Sequence, residues 1–270
     1  MERNDYSRGM SGRKHDSTHG GRRPHADALF GSTAAHAGGG VHTPLFDLGT
    51  LPHARTIRQH CQGILARIYR GKEGRVIELQ NVPGYEESVR ECGQPVERTC
   101  IYEVGRRAFD ERQIALGKRE AEVVLVIRRP NGCYLLHTKG FYPSGTYRLL
   151  TGGIKSGEPL LKAVRRELRE ETGLGGQVER FLAVQHHAFR MAGRSVPFTS
   201  YVFMVAGEAG TPAPNDEGEN ITAFREVALN ELIATAEQLE ALLVDWADWG
   251  RFRASAHRLV VELLTAEGGA

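Results

Sequence analysis

Long apolar runs are missing from this 270-residue chain. Its longest, such as Val123 to Ile127 and Tyr201 to Ala206, fall far short of the roughly 20 residues a membrane-spanning helix needs. The N-terminus carries basic residues but no apolar segment behind them, so a secretory signal is not expected. Cysteine is scarce: Cys61, Cys92, Cys100 and Cys133 are scattered, with no C-x-x-C pair. That spacing argues against a disulfide frame or a zinc site and fits reduced thiols in a cytoplasmic protein. Excess charge of one sign is also lacking. Thirty-five Lys and Arg face 33 Asp and Glu, for a formal net charge of +2. No broad electrostatic case follows for nucleic acid or an anionic membrane.

Large apolar residues are sparse through residues 1–45, a stretch rich in Gly, His, Arg and Ser that holds His15, His19, His25, His36 and His42. Irregular histidine spacing without nearby cysteine points to a disordered tail rather than a metal site, with a start codon assigned too far upstream as an alternative. From Ala54 the pattern becomes foldable. Ile57, Cys61, Ile64, Leu65 and Ile68 mark an amphipathic helix, and Arg75 to Val82 and Glu97 to Val104 read as strands. Residues 46–117 are thus expected to form an N-terminal α/β extension, whose role as cap, dimer arm or part of a substrate site stays open.

A core is expected over residues 118–245. Glu122 to Arg128 and Cys133 to Thr138 read as strands joined by the turn Pro130-Asn131-Gly132. The loop Lys139 to Tyr147 follows, whose Phe141, Tyr142 and Tyr147 suit either stacking on a base or ordinary packing. Further strands are read at Val178 to His187, Pro197 to Ala206 and Phe224 to Val227, then a helix over Asn230 to Leu242. Residues 246–270 read as a C-terminal helix packed on the core, with Leu259, Val260, Leu263 and Leu264 as its apolar face.

What the chain does contain is concentrated between Gly152 and Leu174, GGIKSGEPLLKAVRRELREETGL. Gly152, Gly153 and Gly157 make a loop able to approach a ligand closely. Ser156 is expected as the N-cap, with Pro159 in the first turn of a helix of about four turns ended by Gly173. Leu160, Leu161, Val164 and Leu168 supply its buried stripe. Glu167, Glu170 and Glu171 stand at i, i+3 and i+4, so three carboxylates lie side by side, with Arg165, Arg166 and Arg169 expected to project elsewhere. Such a run is commonly a solvated face. Joined to a glycine loop, it describes instead a hard-cation site for a phosphate-bearing substrate, because clustered carboxylates repel unless a cation neutralises them.

The stretch also fits the pattern G-x5-E-x7-R-E-U-x-E-E-x-G-U, U being aliphatic, with Gly152, Glu158, Arg166, Glu167, Leu168, Glu170, Glu171, Gly173 and Leu174 at its fixed positions. It resembles the Nudix box of the Nudix hydrolases, and the element order over about 118–240 resembles that family's fold. Tyr147, Leu150 and Thr151 stand where many members have Trp, Pro and Gly. The resemblance implies an α+β fold, a Nudix-type mixed β-sheet sandwiched between helices, here with an N-terminal extension. It implies cleavage of a diphosphate linkage in a nucleoside diphosphate bound to another moiety, with Mg²⁺ or Mn²⁺, by water-derived hydroxide attacking phosphorus. The Gly152 carbonyl and the Glu167, Glu170 and Glu171 carboxylates would hold metal, and a Glu158–Arg166 pair would fix the loop against the helix.

The general base is left among Glu217, Glu219, His186 and His187. The two acids lie in a polar loop with Asp216, and the two histidines at a strand end. The partner expected is a small nucleotide-type diphosphate, with no membrane and nucleic acid disfavoured; a homodimer is left open. Two alternatives have other chemistry. A nucleotide-sensing module of the same fold could lose box carboxylates, and none is lost here. A prenyl-diphosphate isomerase would need a proton-donating cysteine near the metal, and none lies close to the box in sequence.

Overall fold

The computed structural model describes residues 82–116 and 121–268. The expected tail, the helix around Ile57 to Ile68 and nearly all of the strand ending at Val82 lie outside the described residues.

Among the described residues, seven strands form one mixed sheet: β1 (Val96–Glu103), β2 (Ala121–Arg128), β3 (Tyr134–Lys139), β4 (Leu150–Gly153), β5 (Gly176–Met191), β6 (Arg194–Gly207) and β7 (Ile221–Val227). The order is β1-β5-β6-β2-β3-β7, and β4 pairs with β2 off that path. β1 runs parallel to β5, and β2 parallel to β6. The other pairs are antiparallel. Residues 96–103, expected in the N-terminal extension, are therefore a strand of the same sheet as the box.

β2 shows why the sheet is covered on both sides. Its residues Val123 to Ile127 are fully buried as a continuous apolar run, the pattern of a strand sandwiched between layers. Val123, Leu125 and Ile127 point to one face, where they meet Leu160, Leu161, Val164 and Leu168 of α3 (Leu160–Thr172) and Cys92 of α1 (Tyr85–Cys92). Val124 and Val126 point to the other, against Leu232 of α4 (Glu231–Glu240) and Ala256, Leu259 and Val260 of α5 (Ala247–Gly268). Phe109 of α2 (Arg106–Leu116) joins Phe189, Phe198, Trp249 and Phe252 in an aromatic cluster on that second side.

β5 and β6 run longer than the sequence suggests because a tight turn joins them. Ala192 and Gly193 both have positive φ, at 48° and 76°, as a two-residue turn matched to strand twist requires.

Tyr142 is 7% exposed and packs at 4.8 Å from the Trp249 ring, and the Arg225 guanidinium covers Tyr147 at 3.9 Å. The loop aromatics Tyr142 and Tyr147 thus have packing partners.

Candidate active site

β4 and α3 bring the glycine loop to the helix. Pro159, not Ser156, is the N-cap, in extended conformation with no side-chain cap bond. The residues before it form their own turn: Glu158 N–H donates to the Lys155 carbonyl, Lys155 N–H donates to the Glu158 carboxylate at 3.0 Å, and Gly157 takes φ 71°. That turn carries Ser156 away from the helix end. At the far end Gly173 has φ 68°, the left-handed C-cap its sequence position predicts.

Gly152 is needed for its lack of a side chain. A Cβ there would stand 1.8 Å from the Glu167 carboxyl carbon, so the Glu167 carboxylate lies directly on the Gly152 backbone. Across β2, Gly152 is paired with Val123. Glycine and carboxylate are therefore held together by sheet register on one side and by the helix's buried stripe on the other.

The three helix carboxylates are not equivalent. Glu171 is wholly buried, Glu167 is 5% exposed and the Glu170 side chain is 36% exposed. Burial pushes the Glu171 carboxyl up to about 8, against the pull of the Lys139 ammonium. Both of its oxygens lack a hydrogen-bond partner. Burial likewise raises Glu167 to about 6, against the pull of Arg166.

Arg166 does not point away from this group, as helical angles alone suggested. Its guanidinium donates to Glu158 at 2.8 Å through two nitrogens, to Glu167 at 2.6 Å, to Glu170 at 2.8 Å and to the Gly153 carbonyl at 2.8 Å. The i, i+4 relation to Glu170 already carries this contact in the sequence; the long side chain supplies the rest by folding back. Burial opposes the charge of Arg166, and its carboxylate partners hold the pKa above the ordinary arginine value all the same. The bond from Arg166 draws the Glu158 carboxyl below its usual range.

Two residues join the cluster from outside the box. Glu219, 4% exposed, reaches it from the short helical turn Glu217–Glu219. Lys139, 3% exposed, lies at the end of β3 with its ammonium 2.8 Å from Glu219 and 3.7 Å from Glu171. Sequence reasoning left Lys139 in a loop. Its signal was period two: Leu135, His137 and Lys139 alternate onto one side of β3, and a register shift after Thr138 marks where the strand bends.

His186 and His187 are placed elsewhere. They sit within β5, which continues to Met191, rather than at its end. His187 shares hydrogen bonds with Tyr102 Oη at 3.2 Å and Ser200 Oγ at 3.1 Å. His186 stands 3.8 Å from Glu97. Burial lowers the pKa of both.

Among the described residues, no group of three or more Asp, Glu, His or Cys side chains converges as placed to hold a metal ion. Arg166 is bonded instead to Glu167 and Glu170. The donor set nevertheless fits a hard cation, because oxygen ligands predominate and the buried Glu171 oxygens have no hydrogen bond to lose.

Residues 118–247 match the NUDIX domain. This segment belongs to the Nudix superfamily. A nucleoside triphosphatase NudI of Enterobacter sp. (strain 638) is 41% identical over 76 residues, covering 27% of this chain and 51% of that protein. The NudI of Salmonella arizonae is 39% identical over 59 residues, 20% of this chain and 41% of its own length. The chain thus spans about half the length, or less, of these curated relatives. A MutT protein from Methanosarcina mazei Go1 covers 53% of this chain and 94% of its own at 19% identity, with a TM-score of 0.34, a likeness that adds nothing to the fold already described. Around this Nudix segment the chain has the sheet between helix layers that its box predicted, and no described helix is long and apolar enough to cross a membrane.

Proposed function

We propose that this Nudix protein is a divalent-cation-dependent pyrophosphohydrolase of a small nucleotide-type diphosphate. The observation that carries the reading is the buried, hydrogen-bond-deficient Glu171 carboxylate among Glu167, Glu170 and Glu219, inside the segment that matches the NUDIX domain. Glu167, Glu170, Glu171 and the Gly152 carbonyl would hold the cation. Bound there, Mg²⁺ or Mn²⁺ would neutralise phosphate charge and make an attacking water more acidic.

The chain's own groups do the rest. Gly152 lets the Glu167 carboxylate reach the loop backbone. Arg166, anchored twice on Glu158 and once on the Gly153 carbonyl, fixes that loop against the helix. Glu219 is the candidate general base: it lies in the cluster, whereas His186 and His187 are engaged elsewhere. An acceptor placed this way would take a proton from water as the anhydride opens.

A panel of nucleoside triphosphates, nucleotide sugars, ADP-ribose and dinucleoside polyphosphates, assayed with Mg²⁺ and with Mn²⁺, tests the reading by its phosphate and nucleotide products. Turnover should require the metal. Undiminished activity in excess EDTA would overturn it, and so would metal binding without turnover of any member, which is the behaviour of a sensing module.

A further inference from the structure

Lys139 stands where a cation is called for. Its ammonium is 2.8 Å from Glu219 and 3.7 Å from Glu171, and all three side chains are at most 5% exposed. Backbone contacts explain the placement. Lys139 is paired with Ile221 across β3 and β7, and Gly140 N–H donates to the Asn220 carbonyl at 3.0 Å. The strand that carries the ammonium is thus tied directly to the turn that carries Glu219. Glu171 comes from α3, a separate element. Lys139 is therefore bonded closely to the acid on its own side of the site and held at ion-pair distance from the acid on the other.

The asymmetry matters physically. A buried carboxylate is costly without a positive charge beside it. Glu171 has no hydrogen-bond donor, so Lys139 supplies charge to it without supplying a bond. A divalent ion could take over the Glu171 oxygens without breaking a hydrogen bond. The Glu219 bond is shorter and backed by the β3–β7 pairing.

We propose that Lys139 is an internal counter-cation of the carboxylate site, holding Glu171 and Glu219 together in the metal-free protein and yielding Glu171, but not Glu219, when a divalent cation binds. This rests on the metal reading of the site and goes beyond it. Lys139 is a positioning residue: it keeps Glu219 in the site throughout and competes with metal at Glu171.

The two roles move in opposite directions when the charge is removed, which makes the idea testable without turnover. The Mn²⁺ dissociation constant is measured by electron paramagnetic resonance on the full chain at pH 8.5, where protons compete least. Lys139→Met should bind Mn²⁺ three- to tenfold more tightly than the wild type, because the competitor is gone. Its metal-free melting temperature should fall, and its kcat should fall at least tenfold, because Glu219 is no longer held. Lys139→Arg, which keeps the charge, should return Mn²⁺ affinity to within about twofold of the wild type. A Lys139→Met affinity equal to or weaker than the wild type overturns the proposal, since a merely structural lysine would leave affinity unchanged or reduce it. A wild-type chain that binds no Mn²⁺ overturns the metal reading and this inference together.

Should Lys139→Met fail to fold, the wild type still decides. The ¹⁵Nζ resonance of Lys139, assigned by its loss in Lys139→Arg, should shift as Mg²⁺ is added. An unmoved resonance at saturating Mg²⁺ overturns the proposal.

Discussion

The two faces of the sheet both bury charge, and they balance it differently. On the α5 face, Glu122 accepts two hydrogen bonds at 2.9 Å from Arg253 and one at 2.9 Å from Ser200, whose hydroxyl also meets His187. That acid is met directly by a base, and the groups around them line a cavity of about 10 Å³, near the least volume that admits a water. On the α3 face, Glu158, Glu167, Glu170, Glu171 and Glu219 gather round Arg166 and Lys139. Arg148 and Lys155 add positive charge at the margin, and the acids still outnumber the bases. A balanced buried pair is finished as it stands. An acid-rich one is complete only with another cation. Composition alone cannot separate the two, because both faces use the same residue types; the difference lies in the pairing.

Glu122→Gln should break the balanced face most severely. It takes from the buried Arg253 the carboxylate it donates to twice, and removing one partner of a buried pair typically costs about 3–5 kcal/mol. Urea unfolding should show that loss. Replacing Glu122 and Arg253 together by Met should restore much of it, since well-packed apolar groups of similar size can stand in for a buried pair. A single variant as stable as the wild type would mean the α5 face does not depend on its pairing.

Acid should weaken that same face next. His257 of α5 accepts from Leu149 N–H at 3.1 Å through Nε2 and meets the Arg253 carbonyl at 3.0 Å through Nδ1. Burial, offset in part by the Arg253 carbonyl and aided by the Arg148 and Arg253 charges, lowers its pKa to about 4. The imidazole is thus neutral in the fold, and it binds a proton more readily when unfolded, near pH 6.5. Stability from this group is complete above pH 6.5 and is lost as the pH falls from there through 4, by roughly 3 kcal/mol in total. His186 and His187 shift in the same direction and deepen the loss. Unfolding free energies at pH 7.5, 5.5 and 4.5 measure it. His257→Gln, which keeps an acceptor for Leu149, should have a shallower slope; an identical slope would exclude His257 as a source.

On the acid-rich face stability and activity should separate. Glu171→Gln should lower Mg²⁺-dependent turnover at least tenfold, ~1.4 kcal/mol of barrier, with no fall in the metal-free melting temperature, because the amide removes a buried charge that lacks hydrogen-bond donors. If the melting temperature collapses while turnover per folded molecule is kept, Glu171 is structural and the contrast between faces fails.

These features were unequally legible in the sequence. The box and its helix could be read because both depend on local spacing: the apolar stripe of Leu160, Leu161, Val164 and Leu168 and the C-cap at Gly173 are properties of neighbouring residues. β2 could be read as buried from its continuous apolar run. Lys139 could not be assigned to the site because its two partners lie on α3 and in the turn after β6, contacts fixed by sheet order rather than by spacing. The same limit misplaced His186 and His187, whose surroundings are set by the pairing of β5 with β1 and β6. Ser156 was misread as a cap because a glycine turn intervened between it and the helix.

The smallest effect should come from the coupling between Arg166 and Glu158, and it sharpens the comparison most finely. On the α5 face the Arg253 guanidinium donates to both oxygens of Glu122. On the α3 face Arg166 serves Glu158, Glu167 and Glu170 together, with the Gly153 carbonyl as a further anchor. If Arg166 acted only through Glu158, alanine at either position and at both would cost the same. The geometry predicts otherwise. Glu158→Ala removes the loop anchor but leaves Arg166 on the helix carboxylates, so turnover should fall severalfold. Arg166→Ala also releases Glu167 and Glu170 and should cost more. The double variant should match Arg166→Ala closely, because Glu158 without Arg166 has lost the partner that lowers its pKa. The coupling energy from turnover across the cycle should then be about 1 kcal/mol, within the usual range for residues in contact. Strictly additive losses would show that the pair does not act through its bond, and equal single losses would show that the contacts of Arg166 with Glu167 and Glu170 do not matter to catalysis.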